Sequence, residues 1–324
     1  MADDRIAAAR RFFAEELRHT ARVRSRAVVE AFAKVPRELF AGPGPWRILS
    51  PMRMPHYWTT DDADPAHLYH DVLVAIDEER GLNNGQPSFW AALYDELDLE
   101  RGAHVVHVGA GAGYYSAVLA EIVGPEGRVT AVEIDAELAA RARANLAAVG
   151  CPQATVVAAD GFRFAPERPA DAVIVNAGVT HFSLAWLDSL APANGQLLAP
   201  MTGPDRFGAF LMITRRNGES QRYPARFVSR TGIIGCVGGR DAAAETKLAA
   251  ALQRARSPPS ARSGALPKSR TRRAGSPAKA GGFRPPRPGR ERIHGGAAGF
   301  LAAPLTRAGR ATRSCSCPNL ECPN

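Results

Sequence analysis

The chain has 324 residues and a formal charge of +9, with 41 Lys and Arg against 32 Asp and Glu. Residues 251–324 hold 15 of those bases and only two acids, Glu291 and Glu321, so residues 1–250 carry −4. A mildly acidic body excludes a basic nucleic-acid or membrane-surface module as the reading of the whole protein.

At 45% hydrophobic and 23% charged, the composition is that of a globular protein. No apolar run approaches the ~18 residues of a membrane-spanning helix. The start, Met1-Ala-Asp-Asp-Arg-Ile6, has early acids and no apolar h-region. The five cysteines are Cys151 and Cys236 in the body and Cys315, Cys317 and Cys322 near the end. That spacing makes neither a disulfide framework nor a four-ligand zinc site, so no metal and a reducing, cytoplasmic setting are expected.

Residues 4–35 read as helix. Ile6, Phe12, Phe13, Leu17, Val28, Val29, Phe32 and Val35 recur near helical spacing, with a break or cap at Thr20 and a stop at Pro36. Arg10, Arg11, Arg18, Arg22, Arg24 and Arg26 alternate with acids and read as the solvated side. Residues 41–66 are rich in Gly, Pro and aromatics without a period, and read as an ordered connecting loop. Residues 86–97 form another amphipathic helix, with Phe89, Trp90, Leu93 and Leu97 on one side.

From residue 102 short β-branched runs alternate with helical stretches. The runs are 104–108, 128–133, 154–159, 172–176 and 196–200, and the helices are about 113–123, 136–149 and 181–190. This rhythm predicts an α/β fold, a doubly wound and mostly parallel sheet with helices on both faces. Residues 207–214 and 226–234, flanking Asn217-Gly218, predict an antiparallel hairpin at the sheet edge. Residues 241–255 read as one more helix. The chain thus divides by pattern into 1–100 (N-terminal helices and a loop region), 101–240 (the core) and 241–324 (a helix, then a basic tail). With ten Pro, nine Gly and two aromatics in 251–324, that tail is expected to be disordered.

The most informative stretch is Val105-Val-His107-Val-Gly109-Ala110-Gly111-Ala-Gly113-Tyr114-Tyr115, an apolar strand running through alternating glycines into a helix. Glycines allow a tight turn and close backbone approach to a ligand. A dinucleotide site has a third glycine at the sixth position for its pyrophosphate unit. Tyr114 stands there, so the pattern suits a nucleoside without pyrophosphate. Glu133 closes the second strand 24 residues after Gly109, where a carboxylate can accept both hydroxyls of a ribose. Asp135 next door suits a helix cap. Asp160-Gly161 ends the third strand, with Asp160 able to accept a purine amino N–H.

These residues resemble the class I S-adenosylmethionine-dependent methyltransferases, and among them the protein-L-isoaspartate O-methyltransferase family. The similarity covers roughly residues 25–235. It includes Val29-Glu-Ala-Phe-Ala-Lys-Val-Pro36-Arg37-Glu-Leu-Phe40, the Gly109–Tyr114 loop, Glu133, Asp160-Gly161, Asp171-Ala-Val-Ile-Val-Asn176-Ala177 and Leu190-Ala-Pro-Ala-Asn-Gly195-Gln-Leu-Leu.

The resemblance implies a Rossmann-like fold and bound S-adenosylmethionine. Its site would comprise His107, Gly109, Ala110, Gly111, Gly113, Tyr114, Glu133, Ile134, Asp160, Gly161 and Asn176. The glycines would pass near the methionine part, Glu133 would hold the ribose and Asp160 the adenine amino group. The methyl acceptor would be a protein or peptide carboxylate, with no catalytic side chain assigned. Two positions depart from the family pattern. His107 replaces an acid two residues before the first glycine. In the substrate loop, Asn83-Asn84-Gly85-Gln86-Pro87-Ser88, Gly85 stands where the family has a serine. The loop is expected to line the pocket, or else to be an ordinary turn before a helix capped near Ser88.

The leading expectation is therefore carboxyl O-methylation of isoaspartyl residues in damaged proteins, or of a related acceptor. The alternative is a catalytically weak nucleoside-binding relative, its chemistry lost at His107 and Gly85 and its basic tail serving as a nucleic-acid tether. For the tail itself, a patternless extension is the simpler reading. A nicotinamide dehydrogenase is disfavoured by Tyr114.

Overall fold

The computed structural model describes residues 2–216 and 223–256. The Asn217-Gly218 turn and the tail from 257, with its expected disorder and its nucleic-acid reading, lie outside the described residues.

The N-terminal pattern resolves into helices α1 (Ala2–Thr20), α2 (Arg26–Lys34) and a short α3 (Glu38–Ala41). The break falls where it was expected. Arg22 has a left-handed φ of 54°, and the Ser25 hydroxyl accepts from Val28 N to cap α2. Arg18, Arg24 and Arg26 pair with Glu15, Asp95 and Glu30, as a solvated face should.

Residues 41–66 are not a loop. They supply β1 (Arg47–Leu49) and β2 (Trp58–Thr59), which join β3 (Leu73–Asp77) and β4 (Leu82–Asn83) in an antiparallel sheet of order β2-β1-β3-β4. Strands of two to five residues are too short to display a two-residue period. What holds them is a small core of Trp46, Ile48, Leu68, Val72 and Val74, gathered from 29 residues of sequence. Helix α4 (Pro87–Leu97) follows, with Gln86 as N-cap residue instead of Ser88.

The main sheet contains β5 (His104–Val108), β6 (Arg128–Glu133), β7 (Ala154–Ala158), β8 (Ala172–Val175), β9 (Gln196–Thr202), β10 (Phe207–Thr214) and β11 (Ala225–Gly232). Its order is β11-β10-β9-β8-β5-β6-β7. The β7-β6-β5-β8-β9 portion is parallel, and β10 and β11 are antiparallel, as expected. Helices α5 (Tyr114–Val123), α6 (Ala136–Ala148) and α7 (Leu184–Ser189) connect the strands, and α8 (Ala242–Arg256) follows β11.

Both faces of the parallel strands inside the sheet are covered, which is why they read as apolar runs, whereas Thr155 and Ala158 of the edge strand β7 are exposed. Val105, Val129, Ala131 and Ile174 face a core shared with Phe13, Phe32, Trp90 and Leu119. Val106, Val108, Val132, Val173 and Val175 face the second core with Trp186 and Leu190. The first core crosses residue 100, so the division there is one of sequence pattern and not of packing.

Candidate active site

Strand β5 has β6 on one side and β8 on the other. The connection leaving its C-terminal end is therefore the topological switch point, where the adjoining loops diverge and leave a crevice. Residues 109–113 occupy that point. Gly109, Gly111 and Gly113 have φ of 79°, 56° and 93°, in the region where a Cβ is costly. The turn is tied down at its base: Gly109 N and Ala110 N both donate to Val132 O, and Asn176 Nδ2 donates to Gly109 O.

Glu133, at the end of β6, is brought to this loop. Its Oε2 accepts from Gly111 N at 2.8 Å and its Oε1 from Asp135 N at 3.0 Å. A carboxylate has about four acceptor directions, so each oxygen keeps one for a ligand hydroxyl. Asp135 is the helix cap, accepting from Glu137 N and Leu138 N. Bonds from Leu138 N and from Arg80 hold its carboxyl below the usual range. Ile134 between them remains 47% exposed, an apolar surface beside the Glu133 carboxylate.

Asp160 follows β7. Its Oδ1 accepts from Phe162 N, while Oδ2 lies 3.6 Å from Arg163 Nε. Gly161 has no room for a side chain, since a Cβ would fall 2.5 Å from Val108 Cγ1. The buried Trp186 fixes this turn by donating from Nε1 to Gly161 O at 2.8 Å. Sequence reasoning missed Trp186. It also missed residues 234–239, which run beside 178–180 through Gly178 N to Ile234 O and Cys236 N to Gly178 O. That segment brings Gly238 against Asp160.

Two expected site side chains are turned elsewhere. Tyr114 is 2% exposed and packs edge-on against Phe32, Phe40 and Tyr115 in the core, so only its backbone belongs to the loop. An aromatic ring fits there because α2 and α3 roof the start of α5. His107 is fully enclosed beneath the turn. Its Nδ1 lies 2.9 Å from Ser116 Oγ, its ring packs against Trp90, and Nε2 has no partner among the described residues. Burial pushes its pKa down to about 4, so the ring is neutral at physiological pH and places no cation beneath the loop.

The loop 83–88 is a braced element and not a plain turn. Asn83 Oδ1 accepts from Gly85 N, and Asn84 Oδ1 accepts from Val74 N and Arg37 Nη2. Arg37 is itself fully buried and also donates to the carbonyls of Leu68, His70 and Val72. Gln86 Nε2, Ser88 N and Ser88 Oγ all donate to Asp71. Tyr115 OH donates to Gly85 O at 3.0 Å, and burial raises its pKa so the donor stays protonated. Gly85 has φ of 75°, and a Cβ there would lie 2.5 Å from Trp90 Nε1. Asp71, Tyr115 and Trp90 were not singled out as loop partners, because no local pattern marks them. Arg37 was visible only within the resemblance.

The residues present fit S-adenosylmethionine. A nearly buried carboxylate with spare acceptor directions, an apolar residue beside it and a second carboxylate on the next strand match a ribose, an adenine face and an amino group. Among the described residues no group of three or more His, Cys, Asp or Glu is placed to hold a metal ion, and no helix is long and apolar enough to cross a membrane.

The family model described as Protein-L-isoaspartate(D-aspartate) O-methyltransferase (PCMT) matches residues 9–231. The chain is 31% identical over 250 residues to a protein-L-isoaspartate O-methyltransferase of Hyperthermus butylicus, covering 74% of this chain and 95% of the relative. It is 31% identical over 231 residues to that of Methanothermobacter thermautotrophicus, covering 71% and 95%. Among solved structures, a protein-L-isoaspartate O-methyltransferase aligns with a TM-score of 0.57 at 24% identity, covering 68% of this chain and 65% of that one. A Plasmodium falciparum protein in complex with S-adenosyl-L-homocysteine aligns with a TM-score of 0.54 at 18% identity, covering 70% and 97%. At those identities the structural matches speak for the fold.

Proposed function

This chain belongs to the protein-L-isoaspartate O-methyltransferase family, and on that premise we propose that it methylates the carboxylate of isoaspartyl residues in damaged proteins, using S-adenosylmethionine. The observation that carries the reading is the Gly109–Gly113 turn bonded to Glu133 at the switch point, with Asp160 on the next strand.

When bound, S-adenosylmethionine supplies a methyl group on a sulfonium, which an acceptor carboxylate oxygen takes by direct displacement. Glu133 accepts the ribose hydroxyls while holding Gly111 in place. Asp160 accepts the adenine amino group, and Ile134 offers apolar surface to the base. The backbone of Gly109, Ala110, Gly111 and Gly113 lets the methionine part approach closely. Asn176 keeps that turn in position from β8. Loop 83–88 bounds the acceptor side, braced by Arg37, Asp71 and Tyr115. The acceptor is already ionised at neutral pH, so no general base is needed. The protein's contribution is alignment, which can supply several kcal/mol without a catalytic side chain.

Neither departure from the family pattern is an open defect. His107 is a packed neutral residue, and Gly85 is filled in by Trp90. A binding-only relative therefore gains no support from them. Cys151 and Cys236 are free and buried, in keeping with the cytoplasmic setting that we propose.

The test is transfer of a labelled methyl group to an isoaspartyl peptide and to its ordinary aspartyl twin. Base-labile label on the first alone is the expected result. No transfer at millimolar cofactor would overturn the assignment, and transfer only to another acceptor would move it to a different substrate.

A further inference from the structure

Between β3 and β4 the chain turns through Glu78, Glu79, Arg80 and Gly81, all exposed. The side chain of Ile76, near the end of β3, lies beside the glycine turn: a Cβ built at Gly111 would fall 3.6 Å from Ile76 Cδ1. The turn itself meets groups on two flanks. Arg80 Nη1 donates to Asp135 Oδ2 at 2.8 Å, and a Cβ built at Gly81 would fall 3.6 Å from Arg206 Nη1. Asp135 stands just past the C-terminal end of β6, and Arg206 belongs to the connection leaving the C-terminal end of β9. In the sheet β5 and β8 lie between those two strands, and all four run parallel. A turn that touches both flanks therefore stands over the C-terminal ends of β5 and β8. Those ends bound the crevice of the switch point.

The charges of the turn are used in two directions. Glu78 is tied back to its own small sheet, accepting from Arg47 Nε at 2.8 Å and Nη2 at 2.9 Å. Arg80 folds the turn on itself, its N donating to Asp77 Oδ1 at 3.0 Å, and sends its guanidinium across to the main sheet. Asp135 is a fixed target, since it caps α6 through Glu137 N and Leu138 N. Among the described residues, Arg80–Asp135 is the ion pair that joins this turn to the main sheet. The hydrogen bond with Asp135 raises the Arg80 pKa, and the charges of Asp135, Asp77 and Glu133 add to it. Arg80 therefore stays charged and lies within the field of the carboxylate assigned to the ribose.

We propose that the turn between β3 and β4 is the lid of the cofactor crevice, and that Arg80, bonded to Asp135, is its latch. With the pair made, Ile76 and the turn cover the glycine loop and keep water out of the crevice, as closing loops do in other enzymes. Parting of the pair opens the way for exchange of cofactor and product. Arg80 touches no reacting atom and is a positioning residue. Its side chain is 56% exposed and that of Asp135 20%, and an ion pair so close to solvent is weak. Weakness suits a latch, which has to release at every turnover. The inference rests on the proposed cofactor site at the switch point.

Stopped-flow release of S-adenosylhomocysteine from the full chain tests it. Arg80→Ala should release roughly two- to fivefold faster than wild type, the worth of an exposed ion pair. Raising salt from about 0.05 M to about 0.5 M screens such a pair, so wild-type release should quicken toward the rate of the variant, whose own rate stays level. Glu79→Ala, at an exposed position of the same turn, should release like the wild type. Amide exchange over residues 77–82 should slow when the wild type is saturated with S-adenosylhomocysteine. Equal release by wild type and Arg80→Ala at low salt would show that there is no latch. The same quickening in Glu79→Ala would trace the effect to general charge and refute the pairing. Unchanged exchange over 77–82 on saturation would show that the turn is no lid. In each of these cases binding of S-adenosylhomocysteine still upholds the cofactor site. If the wild type binds none, the cofactor reading fails first and takes this one with it.

Discussion

Glu133 does two jobs with one carboxylate, which makes its replacement quantitatively informative. Both oxygens accept from backbone N–H groups, those of Gly111 and Asp135, so Glu133→Gln has no harmless orientation. Either way the amide turns, an NH₂ faces an N–H. One backbone donor of a buried turn then loses its acceptor, at a cost of about 1–3 kcal/mol of stability. On the ligand side, a carboxylate accepting ribose hydroxyls is exchanged for a neutral amide with one acceptor oxygen. Loss of one hydrogen bond to a charged group is worth about 1.5–3 kcal/mol, or roughly 10- to 100-fold in Kd. Calorimetry with S-adenosylhomocysteine reads the second figure, and urea unfolding of the unliganded protein reads the first. The two costs should appear together. If the Kd of Glu133→Gln stays within about twofold of wild type, Glu133 is a loop brace only and the ribose assignment is wrong.

Two further predictions concern the departures from the family pattern. Restoring serine at position 85 should harm the protein. Gly85→Ser pays about 1–2 kcal/mol for a left-handed φ and a further ~1–3 kcal/mol for crowding Trp90, and methyl transfer should fall with it; a variant as stable and active as wild type in urea unfolding and turnover would refute the packing argument. His107 should set part of the acid sensitivity. Its folded pKa, near 4, lies below the ordinary 6.5 because burial disfavours the cation, so between those values the unfolded chain binds the extra proton. Stability is then lost as pH falls through that window, by up to about 1.4 kcal/mol per pH unit. His107→Asn should flatten the difference in urea midpoint between pH 5 and pH 7; an unchanged difference would mean that other groups govern it.

The parallel core was legible because each of its elements carries a local signal. Val105–Val108 is apolar throughout since both faces of β5 are covered, and the glycines after it are needed by the turn's positive φ. Asp135 announced itself as a cap by standing before α6. The small sheet was not legible. Ile48, Leu68 and Val74 meet only once the chain has folded, and strands of two to five residues are too short to show a period.

Among site residues the division is similar. Glu133, Asp160 and the glycines were read from strand ends and spacing; in the fold Glu133 bonds Gly111, and Asp160 follows the neighbouring strand β7. His107 and Tyr114 were read from the same stretch but face inward, because spacing along the chain says nothing about what roofs the helix that follows.

The class of this protein follows from residue order alone: an acidic α/β body with a nucleoside turn, distinct from its basic tail. Those properties depend on residue type and short-range order, which a linear string preserves. How the departures are met is visible only in the folded chain. Arg37 reaches Asn84 across 47 positions, His107 closes onto Ser116, and the Trp90 indole fills the space at Gly85. Each is a matter of side-chain volume and hydrogen-bond direction between separate elements, and those relations exist only when the elements are packed.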